Sequence, residues 1–172
     1  MGRNAATDAK QVSVAEDFAM LFNAQFARMV RLAALLGADD PEDIAQEAFA
    51  RLEQRLDRLP AGVNAVAYVR TTVVNLTRSR LRHLRVVRRF ATEPPLVESA
   101  EILAVLSDDR RRVIRGLSQL TVRQRQVLVL RYWLDLPERE IAETLDIRPG
   151  TVKSTSSKAL AALGRVLGDD RD

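Results

Sequence analysis

The stretch that most limits how this chain can fold is residues 64–90. It ends in LTRSRLRHLRVVRRF (76–90), with six arginines, the single histidine and no acid. Placed on an α-helix at about 100° per residue, the segment sorts into two sides. Val66, Val69, Val73, Leu76, Leu84 and Val87 fall on one side. Arg78, Arg82, Arg85 and Arg89, spaced 4, 3 and 4, fall on the opposite one. The apolar side demands a core to pack on. The arginine side demands a counter-charge, because like charges at i,i+4 weaken a helix. Bulk salt around an ordinary basic surface helix would supply one, and so would a phosphate backbone, which suits one cation per turn. A membrane surface fits poorly, since Trp and Phe anchors are nearly missing from the apolar side. The spacing favours nucleic acid. Arg80 breaks the pattern by landing in the apolar stripe, which predicts a bend or an end near it.

Elsewhere 3.6-residue periodicity recurs and strand signals are scarce, so the chain reads as all-α. Residues 1–12 read as a loose, disordered tail. A first helix fits about 15–36, with Phe18, Phe22, Phe26, Val30 and Leu36 near one face. GADDPED breaks and restarts the chain: Asp40 suits an N-cap, Pro41 the first helical position, and Glu42 and Asp43 the positive end of the dipole. That helix runs to about Leu56; RLPAGVN is a turn, and the arginine helix follows from about Asn64. ATEPPLVES (91–99) then stops the helix with a Pro-Pro pair and flips the composition from basic to acidic. This predicts two small helical domains, 13–90 and 101–168, joined by a flexible linker at 91–100; one domain with a long loop is the alternative. Helices fit 101–117, 122–134, 138–145 and 149–165, and Thr121 with Gln124 forms a capping-box pattern before VLVLRYW.

Several classes are excluded or disfavoured. With no cysteine among 172 residues, disulfide frameworks, thiolate zinc sites and cysteine nucleophiles fall away. The first residues lack an apolar h-region, Ala6 stands where a myristoylation motif wants Ser or Thr, and no apolar run approaches the ~18 residues of a membrane span. A cytoplasmic protein is expected. One histidine, no glycine-rich phosphate loop and no paired acids in an evident pocket argue against an enzyme. No cofactor is expected. His83 reads as one more residue of the rail or the surface. The acids at 39–47 are explained by capping and the helix dipole better than by a metal, and no metal site is expected.

LPEREIAETLDIRPGTVKSTSSKALAAL (136–163) reads as helix, tight turn, helix. Ile141, Ala142, Leu145 and Ile147 pack the first helix and turn, and Val152, Ala159 and Leu163 the second. Gly150, Ser154, Ser157 and Lys158 point outward, flanked by Thr151 and Lys153. Short polar side chains with two lysines suit a major groove, where they reach base edges and phosphates. The plain alternative is an αα-hairpin with a solvated face. Arg148 takes the N-cap place that Ser, Thr or Asp would fill, and Ser156 falls on the buried face.

In order and spacing these pieces resemble the sigma-70 family of bacterial transcription initiation factors, above all the compact extracytoplasmic-function (ECF) group, which keeps regions 2 and 4. DPEDIAQEAFARL (40–52) is similar to region 2.2, with Asp40, Asp43, Gln46, Glu47 and Phe49 on its pattern. AYVRTTVVNLTRSRLRH resembles regions 2.3 and 2.4, with Asn75 and Arg80 matching, Tyr68 where Trp is favoured and Ser79 where many members carry Asp. Residues 120–154 resemble region 4 almost throughout. TVKSTSSKAL in place of TVKSRLHRAL is similar to an actinobacterial SigE-like branch, and Arg148 replaces a frequent Ser.

The resemblance implies an RNA polymerase sigma factor. Asp40, Asp43, Gln46 and Glu47 would dock on the β′ clamp helices of core RNA polymerase, complementary charge favouring a basic partner, and region 4 would meet the β flap. Arg78, Arg82, Arg85 and Arg89, with Asn75, would hold the promoter −10 element, while Arg58, Asn64 and Tyr68 would lie nearest a flipped base. Arg148, Thr151, Lys153, Ser154, Ser157 and Lys158 would read the −35 element. Members of the group are often held inactive by an anti-sigma factor, though no residue of this chain identifies one. A LuxR-type regulator shares the GTVKS helix-turn-helix, but such proteins usually place a strand-rich sensor or receiver ahead of it, and this N-terminal half shows no βα alternation.

Overall fold

The structure is a computed structural model that describes residues 2–58, 63–90 and 108–169, and side chains within 17–56, 58, 63–84 and 111–168. Every regular element among these residues is helical. The first unit holds α1 (Gly2–Leu35), α2 (Pro41–Glu53) and α3 (Ala65–Phe90), with a short 3-10 turn at Leu56–Arg58. The second holds α4 (Asp108–Ser118), α5 (Val122–Leu128, continued by a π-helical turn over Val129–Trp133), α6 (Glu138–Leu145) and α7 (Pro149–Asp169).

Three boundaries differ from expectation, one of them the end of α7, which runs on to Asp169 rather than stopping near 165. The first helix starts at Gly2 rather than near residue 15, so residues 2–12 are helical instead of a loose tail. No proline interrupts this stretch, and Ala5, Ala6 and Ala9 favour the helix locally. The second helix stops at Glu53 and tightens into the 3-10 turn. The linker at 91–100, the helix start expected at 101, residues 59–62 of the turn before α3, and the side chains of Arg85, Val87 and Arg89 lie outside the described residues.

In the first unit an aromatic stripe on α1 organises the core. Phe18, Phe22 and Phe26 recur every turn, and all three approach Phe49 of α2, with ring centroids 6.3, 5.0 and 6.0 Å away. Met29, Leu32, Ala33 and Leu36 continue the stripe and are buried with Ile44, Ala45, Ala48 and Leu52 of α2 and Val69, Val73 and Val74 of α3. Each large side chain so buried stabilises the fold by about 1.5–3 kcal/mol.

The second unit begins on the expected capping box. The Thr121 hydroxyl accepts from Gln124 N–H at 3.3 Å, and Gln124 Oε1 accepts from Thr121 N–H at 3.1 Å. Val127, Leu128, Val129 and Leu130 then enter the core. The π-turn closes with Leu134 N–H donating to Val129 O at 3.2 Å, five residues back, which stops the helix and leads into the left-handed Asp135. Helix α6 ends on Asp146, also left-handed, a conformation Asp tolerates better than most residues. Gly116 lets α4 approach α7 closely: a Cβ there would come within 2.7 Å of Leu163 Cδ1.

The two units touch. Helix α6 packs on α3, where Arg70 is only 9% exposed and bonds Glu140 at 3.2 Å. Arg125 of α5 donates to Leu117 O at 2.8 Å within its own unit and reaches Leu36 O at 3.4 Å in the other. Its guanidinium lies over Gly37, which has φ +93 and leaves no room for a Cβ. This seam is imperfect. Arg70 Nε is buried with no acceptor among the described residues, and Arg78 of α3 stands near enough to Arg123 of α5 to repel it.

Candidate nucleic-acid interface

The helix-turn-helix is built as its sequence suggests. Ile141, Ala142, Leu145, Val152 and Ala159 are buried, Ile147 and Leu163 half-buried, and Ser156 is buried between Val152 and Ala159. That packing turns Gly150, Thr151, Lys153, Ser154, Ser157 and Lys158 to solvent on one side of α7. Ser154 and Ser157 bond only to carbonyls of their own helix, Thr151 O and Lys153 O, both at 3.2 Å, so their hydroxyls remain on the exposed face. Arg148, exposed at the turn, caps through its backbone: its carbonyl accepts from Thr151 N–H at 2.9 Å and Val152 N–H at 3.3 Å. Its side chain stays available for a phosphate.

On α3 the arginines divide. Val69 and Val73 are buried and Val66, Leu76 and Leu84 half-buried, as the angular pattern requires; Val74 and Thr77 are buried too. Arg82 and His83 are exposed, and Arg82 forms no ion pair among the described residues. Arg78 is half-buried and donates to the exposed Asn75 Oδ1 at 3.0 Å, which joins two candidate residues into one pair. Near it, Arg123 is pushed below the ordinary arginine range by burial first and by Arg78 second, with Asp146 opposing. Arg123 also donates to Leu145 O at 3.1 Å, covering the end of α6.

Helix α3 does not end at Arg80, and Arg80 has a partner. Its guanidinium lies 2.7 Å from Asp40 Oδ2 at the start of α2. Asp40 is the N-cap residue by position, but its side chain caps nothing; its carbonyl accepts from Ile44 N–H at 3.2 Å. Asp43, Gln46 and Glu47 remain exposed along α2, Glu47 pairing with Arg51 one turn on. At the start of α3, Asn64 is exposed and acts as a cap, its Oδ1 accepting from Ala67 N–H at 3.1 Å. Tyr68 is half-buried against the core, and Arg58 is exposed on the 3-10 turn. The sequence pattern gave no role to Arg70, which lies on the valine side of α3; that placement was the available signal.

Among the described residues no group of three or more His, Asp or Glu side chains could hold a metal ion. No helix among them is long and apolar enough to cross a membrane.

A packed helix-turn-helix with an exposed polar face, joined to a bundle carrying exposed arginine, matches the architecture of helix-turn-helix DNA-binding proteins of the transcription class. Comparison with known proteins narrows this. Residues 25–90 match the family model for sigma-70 region 2, and residues 110–163 that for sigma-70 region 4. The RNA polymerase sigma-E factor of Streptomyces avermitilis is 34% identical over 133 residues, covering 77% of this chain and 73% of that protein. The ECF RNA polymerase sigma factor SigW of Bacillus subtilis is 29% identical over 146 residues, covering 76% of each. The fold is also similar to that of the sigma factor RpoE, solved in complex with the anti-sigma factor NepR from Bartonella quintana. Its TM-score is 0.74 at 23% identity, over 91% of this chain and 99% of that one. CnrH, solved with the cytosolic domain of CnrY, gives 0.69 at 21%, over 89% and 88%. The chain belongs to the sigma-70 family of RNA polymerase sigma factors, in its ECF group. A LuxR-type regulator is not supported, since residues 25–90 of the N-terminal unit match sigma-70 region 2. Sigma factors are transcription initiation factors rather than catalysts.

Proposed function

We propose that this protein binds core RNA polymerase in the cytoplasm, directs it to specific promoters and helps open the DNA, without enzymatic activity or a cofactor of its own. The observation that carries the division of labour is the sorting of exposed charge by element. Helix α2 presents Asp43, Gln46 and Glu47. Helix α3 presents Arg82 beside the Arg78–Asn75 pair. Helix α7 presents short polar groups and two lysines. Complementary charge favours α2 for the β′ clamp helices. An exposed arginine turn suits phosphates of the separated −10 strand, with Arg85 and Arg89 on the same angular side and Arg58, Asn64 and Tyr68 toward an unstacked base. The −35 duplex would meet Thr151, Lys153, Ser154, Ser157 and Lys158 in its major groove, with Arg148 on the backbone. The β flap is the second polymerase contact, through the C-terminal unit. The sigma factor RpoE, of similar fold, was solved with an anti-sigma factor bound, which supports a regulator of that class as a further partner.

Run-off transcription tests the reading. Purified chain added to core polymerase should yield a discrete transcript from its cognate promoter. Failure to bind core, or transcription only when a separate sigma factor is supplied, would overturn it.

A further inference from the structure

Asp40 and Arg80 each stand at odds with the pattern around them, and in the structure they meet. Arg80 lies seven residues after Val73 and four after Leu76, so it projects from the side of α3 that packs on α2. Its guanidinium contacts Asp40 at 2.7 Å, and the two side chains are 43% and 22% exposed. Asp40 Oδ1 is fully buried and receives no hydrogen bond among the described residues. Burial raises the Asp40 pKa from its usual value; Arg80 lowers it, and the neighbouring Asp39 carboxylate adds to the rise. Burial thus works against the charged form of Asp40 while Arg80 works for it. Partly exposed ion pairs contribute little to stability in general, and this one is poorly suited to contribute any. Its distinguishing property is its position, which joins the residue just before α2 to the middle of α3.

We propose that the Asp40–Arg80 pair is a positioning device that sets the direction of the arginine half of α3 relative to α2, so that both residues act on promoter opening without touching polymerase or DNA. This rests on the reading of α2 as the polymerase helix and α3 as the −10 helix. Thr77 is the last fully buried residue described on α3, and Arg80 is the next tether to α2. From Leu81 to Phe90 the helix runs on for ~15 Å. A tilt of roughly 10° about the tether would displace its far end by roughly 2.6 Å, about the length of a hydrogen bond and enough to take a guanidinium out of reach of a phosphate. Asp40 would then differ in kind from Asp43, Gln46 and Glu47, although all four share the region 2.2 pattern.

The chain has no cysteine, so spin labels can be placed on the whole protein at Glu53→Cys and His83→Cys, both exposed positions on α2 and α3. The label-to-label distance distribution should shift or broaden on Asp40→Asn or Arg80→Gln, while thermal unfolding confirms that each variant is folded. An unchanged distribution overturns the proposal. The functional arm uses full-length chain with core polymerase. Each single variant should lower permanganate reactivity at saturating core about tenfold, equivalent to about 1.4 kcal/mol, with core affinity within twofold of the parent. The double variant should be no worse than the poorer single, and Asp40→Lys with Arg80→Glu should recover part of the loss. Multiplying losses, or weaker core binding by Asp40→Asn whether or not Arg80 is present, would show direct contacts and overturn positioning. If the distances shift but the parent chain never initiates with core, the sigma reading fails and the tether stands.

Discussion

Helices α3 and α7 both carry candidate DNA-reading residues, and they use charge in opposite ways. On α7 all the candidates are short or lysine, all are exposed, and the serines bond only within their own helix. On α3 the cations are long arginines, and most of those described are committed. Arg70 reaches Glu140 across the seam, Arg80 reaches Asp40, and Arg78 is steadied by Asn75. Only Arg82 is both exposed and outside any ion pair among the described residues. A guanidinium on a long stem can turn back to serve the fold, so a count of arginines overstates the surface left for a ligand. A short hydroxyl has no such reach.

The largest test of this contrast removes the scaffold under α7 and leaves α3 alone. Leu145→Ala should cost about 2–5 kcal/mol. Trp133, the sole tryptophan, packs in the second unit, so its fluorescence should report a lowered unfolding midpoint. If circular dichroism retains a later transition, the first unit stands alone; one coincident transition would mean that the seam makes the units unfold together. A smaller effect separates the two kinds of cation. With the polymerase-bound chain, Lys153→Ala and Lys158→Ala should each flatten the log–log salt dependence of promoter binding by about 0.9, as duplex contacts, whereas Arg82→Ala should flatten it by about 0.7, as a single-strand contact. Equal changes would erase the distinction drawn above. The smallest effect concerns Asp40, whose pKa burial raises above 3.8 against the pull of Arg80. Its stability contribution is full below that value and lost as pH rises through the raised one. Asp40→Asn should therefore gain on the parent in urea midpoint as pH rises across that window, and a falling difference would show that the pair stabilises the fold.

Much of this was legible because the signals were local. The valines of α3, the capping box at Thr121 and Gln124, and the inward and outward faces of α7 follow from helical spacing alone. Asp40 misled because cap preference is a statement about residue type at a position, and a cation forty residues away outcompeted the local amides for its carboxylate. Arg80 misled for the same reason in reverse: an arginine in an apolar stripe looks like a defect until its partner is known. Arg70 was invisible because its acceptor belongs to the other unit, and no periodicity within one helix encodes a contact between two. The extent of α1 was missed because the tail lacks the large apolar side chains that mark a packed helix, although its alanines favour helix on their own.

The seam between the units also acts as a ruler. A compact chain of this length has a radius of gyration of ~16 Å, while promoter elements centred 35 and 10 positions before the start site lie ~85 Å apart along straight B-form DNA. With Glu140 against Arg70 and Arg125 over Gly37, the helix-turn-helix is held directly against α3. If α3 and α7 read the two elements as proposed, those two contacts have to part on the promoter.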